Sequence, residues 1–253
     1  MATISAADIA RLRRMTLAGM MDCKKALEEA EGNFEKAVEI IRKKGQSVAN
    51  KRADREASEG VVLARVSDDG KRGIMIVLNS ESDFVAKNAE FVGFANQILD
   101  LAMKSNPADL EELKSLPMDG VTVGEKVVEY IGIIGEKLEL SAYYRIEAPF
   151  VQAYIHPGNK LAALTGFDRA GLDQQVYKDV VMQVAAMNPV AVDKGDVPQS
   201  VIDQELEIGR EQARREGKPE AMLEKIAQGK LAKFYKESTL LNQDFIKDSK
   251  ITV

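Results

Sequence analysis

The sequence predicts an α+β chain with three parts: an N-terminal three-helix bundle, a core of two similar units with small antiparallel sheets, and a protruding antiparallel helical hairpin. Three observations predict it. Two segments share the order strand, turn, strand, helix, the first from Gly60 to Pro107 and the second from Pro149 to Pro189. Before them, residues 1–45 hold three short apolar stripes at helical spacing. After them, two further stripes flank Gly217-Lys218-Pro219. Helical periodicity and strand alternation kept in separate segments favour α+β over a wound parallel sheet.

Ser5-Ala6-Ala7-Asp8 reads as a capping box with Asp in place of Glu, followed by Ile9 and Leu12 on the inner face of a helix ending near Thr16. Gly19 interrupts the pattern, and Asp22 is positioned to cap a second helix with Cys23, Ala26, Leu27 and Ala30 inside. Gly32 suits its end. Asn33 caps a third helix, with Phe34, Ala37, Val38 and Ile41 inward and Gly45 closing it. Helices this short are not stable singly, so they must pack on one another. Residues 46–59 are polar and densely charged and read as a linker, with a helical form left open.

In the first unit, 60–137, Val61 to Val66 and Ile74 to Leu78 are strands around an Asp68-Asp69-Gly70-Lys71 turn. A helix with Ala95, Ile98, Leu99, Ala102 and Met103 on one face stops at Asn106-Pro107. Connecting elements follow: a charged helix at Leu110 to Lys114, a turn at Pro117-Met118-Asp119-Gly120, and a helix from Val123 to Ile131 broken by Gly132-Ile133-Ile134-Gly135. In the second unit, 138–253, Leu138 to Ile146 alternates as a strand. Phe150 to Ile155 and Leu161 to Thr165 flank Pro157-Gly158-Asn159. A helix with Tyr177, Val180, Val181, Val184 and Ala185 on its face ends at Asn188-Pro189. The hairpin occupies about 198–236, and Thr239 to Ile246 is placed as an edge strand of the second sheet.

The 253 residues are 45% apolar and 30% charged, with net charge −5, which disfavours bulk phosphate binding to nucleic acid. One cysteine, Cys23, allows neither an internal disulfide nor a Cys-rich metal site and points to a reducing compartment. No apolar run approaches the roughly 20 residues of a bilayer span. The N-terminus, beginning Met1-Ala2-Thr3, lacks a signal-peptide pattern. A cytoplasmic protein without direct nucleic-acid or membrane contact is expected.

Catalytic constellations are missing. His156 is the only histidine, which excludes two-His metal sites, and no phosphate-binding glycine motif is present. Cys23 and His156 are a nominal nucleophile pair, but Cys23 sits on the inner face of a helix. The first unit is longer than the second mainly at Ser80-Glu81-Ser82-Asp83-Phe84-Val85-Ala86-Lys87-Asn88, between strand and helix. Asp83 on a polar turn is ionised. Phe84 either joins Phe91 and Phe94 in the core or stands outward as a partner contact; the alternation does not group it with them. His156 is either a solvated turn residue or, if the two units share one surface, a neighbour of Asp83. Met20-Met21 cannot both point into so small a bundle, which leaves one as a flexible apolar contact.

Two of these stretches resemble the signatures of the bacterial elongation factor Ts family. They are Ala18-Gly19-Met20-Met21-Asp22-Cys23-Lys24-Lys25-Ala26-Leu27 and Ser82-Asp83-Phe84-Val85-Ala86-Lys87. The order of bundle, linker, two-unit core and hairpin is also similar. The resemblance implies a guanine-nucleotide exchange factor for elongation factor Tu, with no covalent chemistry and no cofactor or metal of its own. It also implies that the bundle is ubiquitin-associated-like, with Leu12, Arg13, Met20 and Met21 docking on the GTPase. Asp83 and Phe84 would act near the partner's Mg2+ and phosphate elements, with Ile134, Gly135 and His156 as further contacts. Three departures stand out: Leu17 where the family usually has Gly, Ser82 for Thr, and an end at Val253 where many relatives continue into an Arg-Phe-rich strand. Association of two complexes through the second unit is left open. The competing reading is a non-catalytic adaptor that binds a protein or ribosomal partner through the bundle.

Overall fold

The computed structural model describes residues 4–253; the reading of Met1-Ala2-Thr3 lies outside them. Helix α1, Ala6–Thr16, starts with the expected capping box: Ser5 Oγ accepts from the Asp8 N–H at 3.1 Å, and the Asp8 carboxylate accepts from the Ser5 N–H at 3.1 Å. It ends at Leu17, whose φ of 57° is left-handed and whose N–H donates to the Arg13 carbonyl. Glycine adopts that conformation without the Cβ penalty that Leu17 bears. Helix α2, Met20–Glu29, is capped by Gly19 rather than Asp22. Asp22 lies inside the first turn, where a carboxylate favours the helix N-terminus, and pairs with Lys44. Helix α3, Phe34–Arg52, is capped by Asn33. Leu12, Ala18, Cys23, Ala26, Leu27, Ala30 and Ala37 form the buried centre of α1–α3. Each fully buried leucine there contributes about 1.5–3 kcal/mol.

Gly45 does not close α3, and residues 46–52 take the helical form that the linker reading left open. The helix continues to Arg52, leaving only residues 53–58 as connection. The polar residues read as a linker form its outer face, while Val48 and Ala49 pack against the main core. Gly45 is used for close approach. A Cβ built on Gly132 would lie 2.5 Å from the Gly45 Cα, so the two helix backbones cross almost in contact. That packing outweighs the ~1 kcal/mol that a mid-helix glycine costs.

Strands β1, Glu59–Val66, and β2, Arg72–Ser80, pair antiparallel, with Leu63 opposite Ile76. After β2 come α4, Asp83–Ala86, and α5, Ala89–Ser105. Then follow α6, Leu110–Ser115, the small hairpin β3, Pro117–Met118, and β4, Val121–Thr122, and α7, Val123–Ile134. Gly132 does not break α7, which stops at Gly135 with φ 80°. Strand β5, Leu138–Glu147, was expected in the second unit, but it pairs with β2, giving the order β1-β2-β5. Its alternation is satisfied there: Leu138 and Leu140 join Ile74, Ile76 and Leu78 in the core beneath α5 and α7. Phe94 and Tyr130 stack between those helices with centroids 3.7 Å apart.

Strands β6, Phe150–Ile155, and β7, Ala162–Phe167, form a two-stranded sheet on the other face of β1-β2-β5. Gly73 allows this, because a Cβ there would meet Val151 at 2.8 Å and Leu164 at 3.0 Å. Helix α8, Gln174–Met187, covers the hairpin through Tyr177, which packs on Phe150 and Phe167. The unit β1-β2-α5 and the unit β6-β7-α8 therefore share one order. Both helices end on a left-handed asparagine before proline, at Asn106 and Asn188.

Helices α9, Gln199–Arg215, and α10, Glu220–Ser238, form the hairpin, with Gly209 against Ala227. Thr239 to Ile246 is not an edge of the second sheet. Strand β8, Asp244–Phe245, pairs only with β9, Asp248–Thr252. Buried Gln183 of α8 takes up the polar groups of that segment instead, bonding the Gln243 side chain, the Asp244 carbonyl and the Ile246 N–H. No helix among the described residues is long and apolar enough to cross a membrane.

Candidate functional site

The turn between β2 and α5 is built to hold one side chain out. Ser82 caps the single turn of α4, with its Oγ accepting from the Val85 N–H. Ala86 faces inward and is buried, and Asn88 starts α5 by accepting from the Glu90 N–H. Helical geometry then turns Phe84 away from the core, and it is 84% exposed. Of the two readings the sequence allowed, the outward one is observed. Phe91 and Phe94 are buried.

The two residues before Asp83 are fixed from several directions. Glu81 accepts from Arg52 Nη1 at 2.9 and 2.8 Å and from the Lys137 N–H at 2.6 Å. The bond from Lys137, aided by Arg52, holds the Glu81 carboxyl below the usual glutamate range. Glu136 accepts from the Ser82 N–H at 3.0 Å and from its hydroxyl at 2.7 Å. Through Glu136, the end of α7 with Ile134 and Gly135 is brought against the tip. Ile134 packs partly on the core, and Gly135 supplies the left-handed turn that places Glu136.

Asp83 pairs with Lys87 at 2.6 Å, and that bond, with a smaller contribution from Lys160, lowers the Asp83 pKa. Lys160 lies in the β6–β7 turn and pairs with Glu59 at 2.6 Å. The same turn is fastened to β1, where the Val62 N–H donates to the Asn159 carbonyl at 2.7 Å. His156 starts this turn and is exposed, with Nδ1 2.7 Å from the Tyr154 hydroxyl. The second unit thus brings Lys160 close enough to act on Asp83, while the observed contacts of His156 are to Tyr154, Asn159 and Leu161 of its own hairpin.

The residues expected to dock fall into two groups. Arg13 is exposed, and Met20 and Met21 are 60% and 62% exposed. Leu12 has no exposed surface and packs in the bundle centre, so it is corrected from a docking contact to a core residue. Its position on the Ile9–Leu12 stripe already placed it inward. Met15 and Leu17, both about half exposed, are further apolar side chains that the bundle leaves uncovered. Met15 lies off the inner stripe of α1, which was the available signal.

Sequence reasoning also missed the pairing of Arg52 with Glu81 and of Glu136 with Ser82, which only the fold brings together. Cys23 is sealed in the bundle with its thiol toward the Ala18 carbonyl and makes no pair with His156. Among the described residues no group of three or more His, Cys, Asp or Glu is placed to hold a metal ion. A cleft of about 320 Å3 between bundle and core carries opposed charges, with Arg42 and Lys126 paired to Glu129.

A family model described as "Elongation factor TS" matches residues 81–253. The elongation factor Ts of Amoebophilus asiaticus is 55% identical over 252 residues, covering 99% of this chain and 91% of that protein. That of Porphyromonas gingivalis is 56% identical over 247 residues, with 97% and 89% covered, and that of Christiangramia forsetii 51% over 255, with 100% and 92% covered. With likeness of this depth along nearly its whole length, the chain belongs to the elongation factor Ts family of translation elongation factors.

Proposed function

We propose that this chain is a guanine-nucleotide exchange factor that promotes GDP release from elongation factor Tu, acting in the cytoplasm without covalent chemistry. The observation that carries the reading is Phe84, a fully projecting aromatic beside an ionised carboxylate, on a turn whose preceding residues are held by Arg52, Lys137 and Glu136. An exposed phenyl forgoes about 1.5–3 kcal/mol of burial, which binding to a partner recovers.

Exchange needs no bond chemistry. The factor must bind the nucleotide-free GTPase more tightly than the loaded one, and linkage then weakens the nucleotide by the same factor. Phe84 supplies an apolar wedge for the partner's packed elements. Asp83 places negative charge where Mg2+ must keep near-octahedral ligands, and so competes for its water and side-chain shell. Ile134, Gly135 and His156 extend the contact around the tip. Arg13, Met20 and Met21 form the docking face of a bundle of ubiquitin-associated type. The two strand-strand-helix units are taken as copies of one ancestral unit, the first of which acquired the tip.

Stopped-flow release of labelled GDP from elongation factor Tu, across a range of Mg2+, tests this. The chain at micromolar concentration accelerates release, and the acceleration shrinks as Mg2+ rises. Release no faster than the spontaneous rate at every Mg2+ concentration rejects the reading.

A further inference from the structure

Helix α3 joins the two surfaces that the exchange reading assigns to the partner. Its first half supplies Ala37, Val38 and Ile41 to the bundle that presents Met20 and Met21. Its middle is pinned by the Gly45–Gly132 crossing and by Arg42 on Glu129 at 2.7 Å. Its last residue, Arg52, grips Glu81 two positions before Asp83. The Lys137 ammonium ties the chain just beyond α3 to the same place, donating to the Ala53 and Arg55 carbonyls at 3.0 and 2.9 Å. Nineteen helical residues make a rod of about 28 Å.

We propose that Arg52 and Glu81 are positioning residues that aim Asp83 and Phe84, and that α3 is the fixed spacer between the docking face and this tip. The proposal rests on the exchange reading above and specifies how its two contacts cooperate. Once Met20 and Met21 engage the partner, the tip acts as an intramolecular second contact. Its effectiveness then depends on being held in one orientation, because a small misplacement of an acting group costs rate far more than affinity. Glu81 and Ser82 are the only residues between β2 and α4, and both are bonded to side chains or backbone from distant segments. Releasing Arg52 leaves the docking face intact and loosens the tip. Docking is therefore read in the half-saturating concentration of factor, and aim in the limiting rate.

The test is GDP release titrated with the full chain as wild type, Arg52→Met, Glu81→Gln, Arg52→Lys and the double variant Met20→Ala with Met21→Ala. Arg52→Met and Glu81→Gln each lower the limiting rate about tenfold, with half-saturation changed by less than about threefold. Arg52→Lys, whose ammonium can take the place of the one nitrogen, Nη1, that makes both bonds to Glu81, stays within about threefold of wild type. The methionine variant raises half-saturation about tenfold. A limiting rate for both Arg52→Met and Glu81→Gln within about twofold of wild type overturns the positioning role while leaving the exchange reading standing. So does a loss seen only in half-saturation. No acceleration by the wild-type chain defeats the exchange reading and this proposal with it.

Discussion

Glu81 is held from two distant segments just before the exposed tip. Its carboxylate accepts from the Lys137 N–H and from Arg52, and both interactions favour the ionised form. The folded pKa therefore lies below the unfolded value. The stabilisation is fully present above about pH 4.3 and is lost as pH falls through the lowered folded value. Wild type and Glu81→Gln should thus differ in urea-unfolding free energy by a constant amount from pH 8 to about pH 5, and the gap should close at lower pH. A gap that widens in acid would show that the charge is not what Lys137 and Arg52 hold. Phe84 was legible in the sequence as a choice, because Ser80, Ser82 and Lys87 around it are polar while Phe91 and Phe94 fit a helical stripe. Its supports were not, because Arg52 and Lys137 lie 29 and 56 residues from Glu81. The opposite lesson comes from Leu12. The helical stripe placed it inside, the family resemblance placed it on the docking face, and burial decided for the stripe.

At the scale of elements, glycine misled the reading at the α3–α7 crossing, where it served contact rather than conformation. Gly45 and Gly132 were taken as helix ends, yet both lie inside helices and let α3 and α7 cross. Gly135, one turn later, does end its helix, with φ 80°. From the sequence the two uses look identical, since only the facing backbone distinguishes them. Gly132→Ala should destabilise the chain by about 1–3 kcal/mol, because its Cβ would meet the Gly45 backbone. Gly93→Ala in α5, where nothing lies near the new methyl, should stabilise by about 0.5–1 kcal/mol. Urea or thermal unfolding of the two variants checks the pair, and similar shifts in both would contradict the close crossing. Capping chemistry was read more safely. Ser5, Asn33 and the two Asn-Pro stops act through residues adjacent in sequence, so local pattern suffices. Asp22 was the exception, because Gly19 starts α2 before it.

Across the whole molecule, the boundaries were the least legible part. Strand β5 belongs to the first sheet although it follows a glycine-rich break, and β8 pairs only with β9. Alternation says that a segment is a strand, but its neighbour is set by which core accepts its apolar face. The sheets pack through Gly73 and Gly166, where side chains of the opposite layer fill the missing volume. That layering sets the β6–β7 turn on β1 and brings Lys160 close enough to influence Asp83. The bundle joins the same body through α3. The surfaces around Met20, Phe84 and His156 are thus presented by one connected framework, as the proposed exchange function requires.

The most direct test of that account compares GDP release from elongation factor Tu driven by wild type and by Phe84→Ala at saturating factor. Because Phe84 is 84% exposed, its truncation should change unfolding free energy by no more than about 0.5 kcal/mol. The account predicts that Phe84→Ala folds normally, still binds, and accelerates release about a hundredfold less than wild type. Equal acceleration by the two proteins would contradict it.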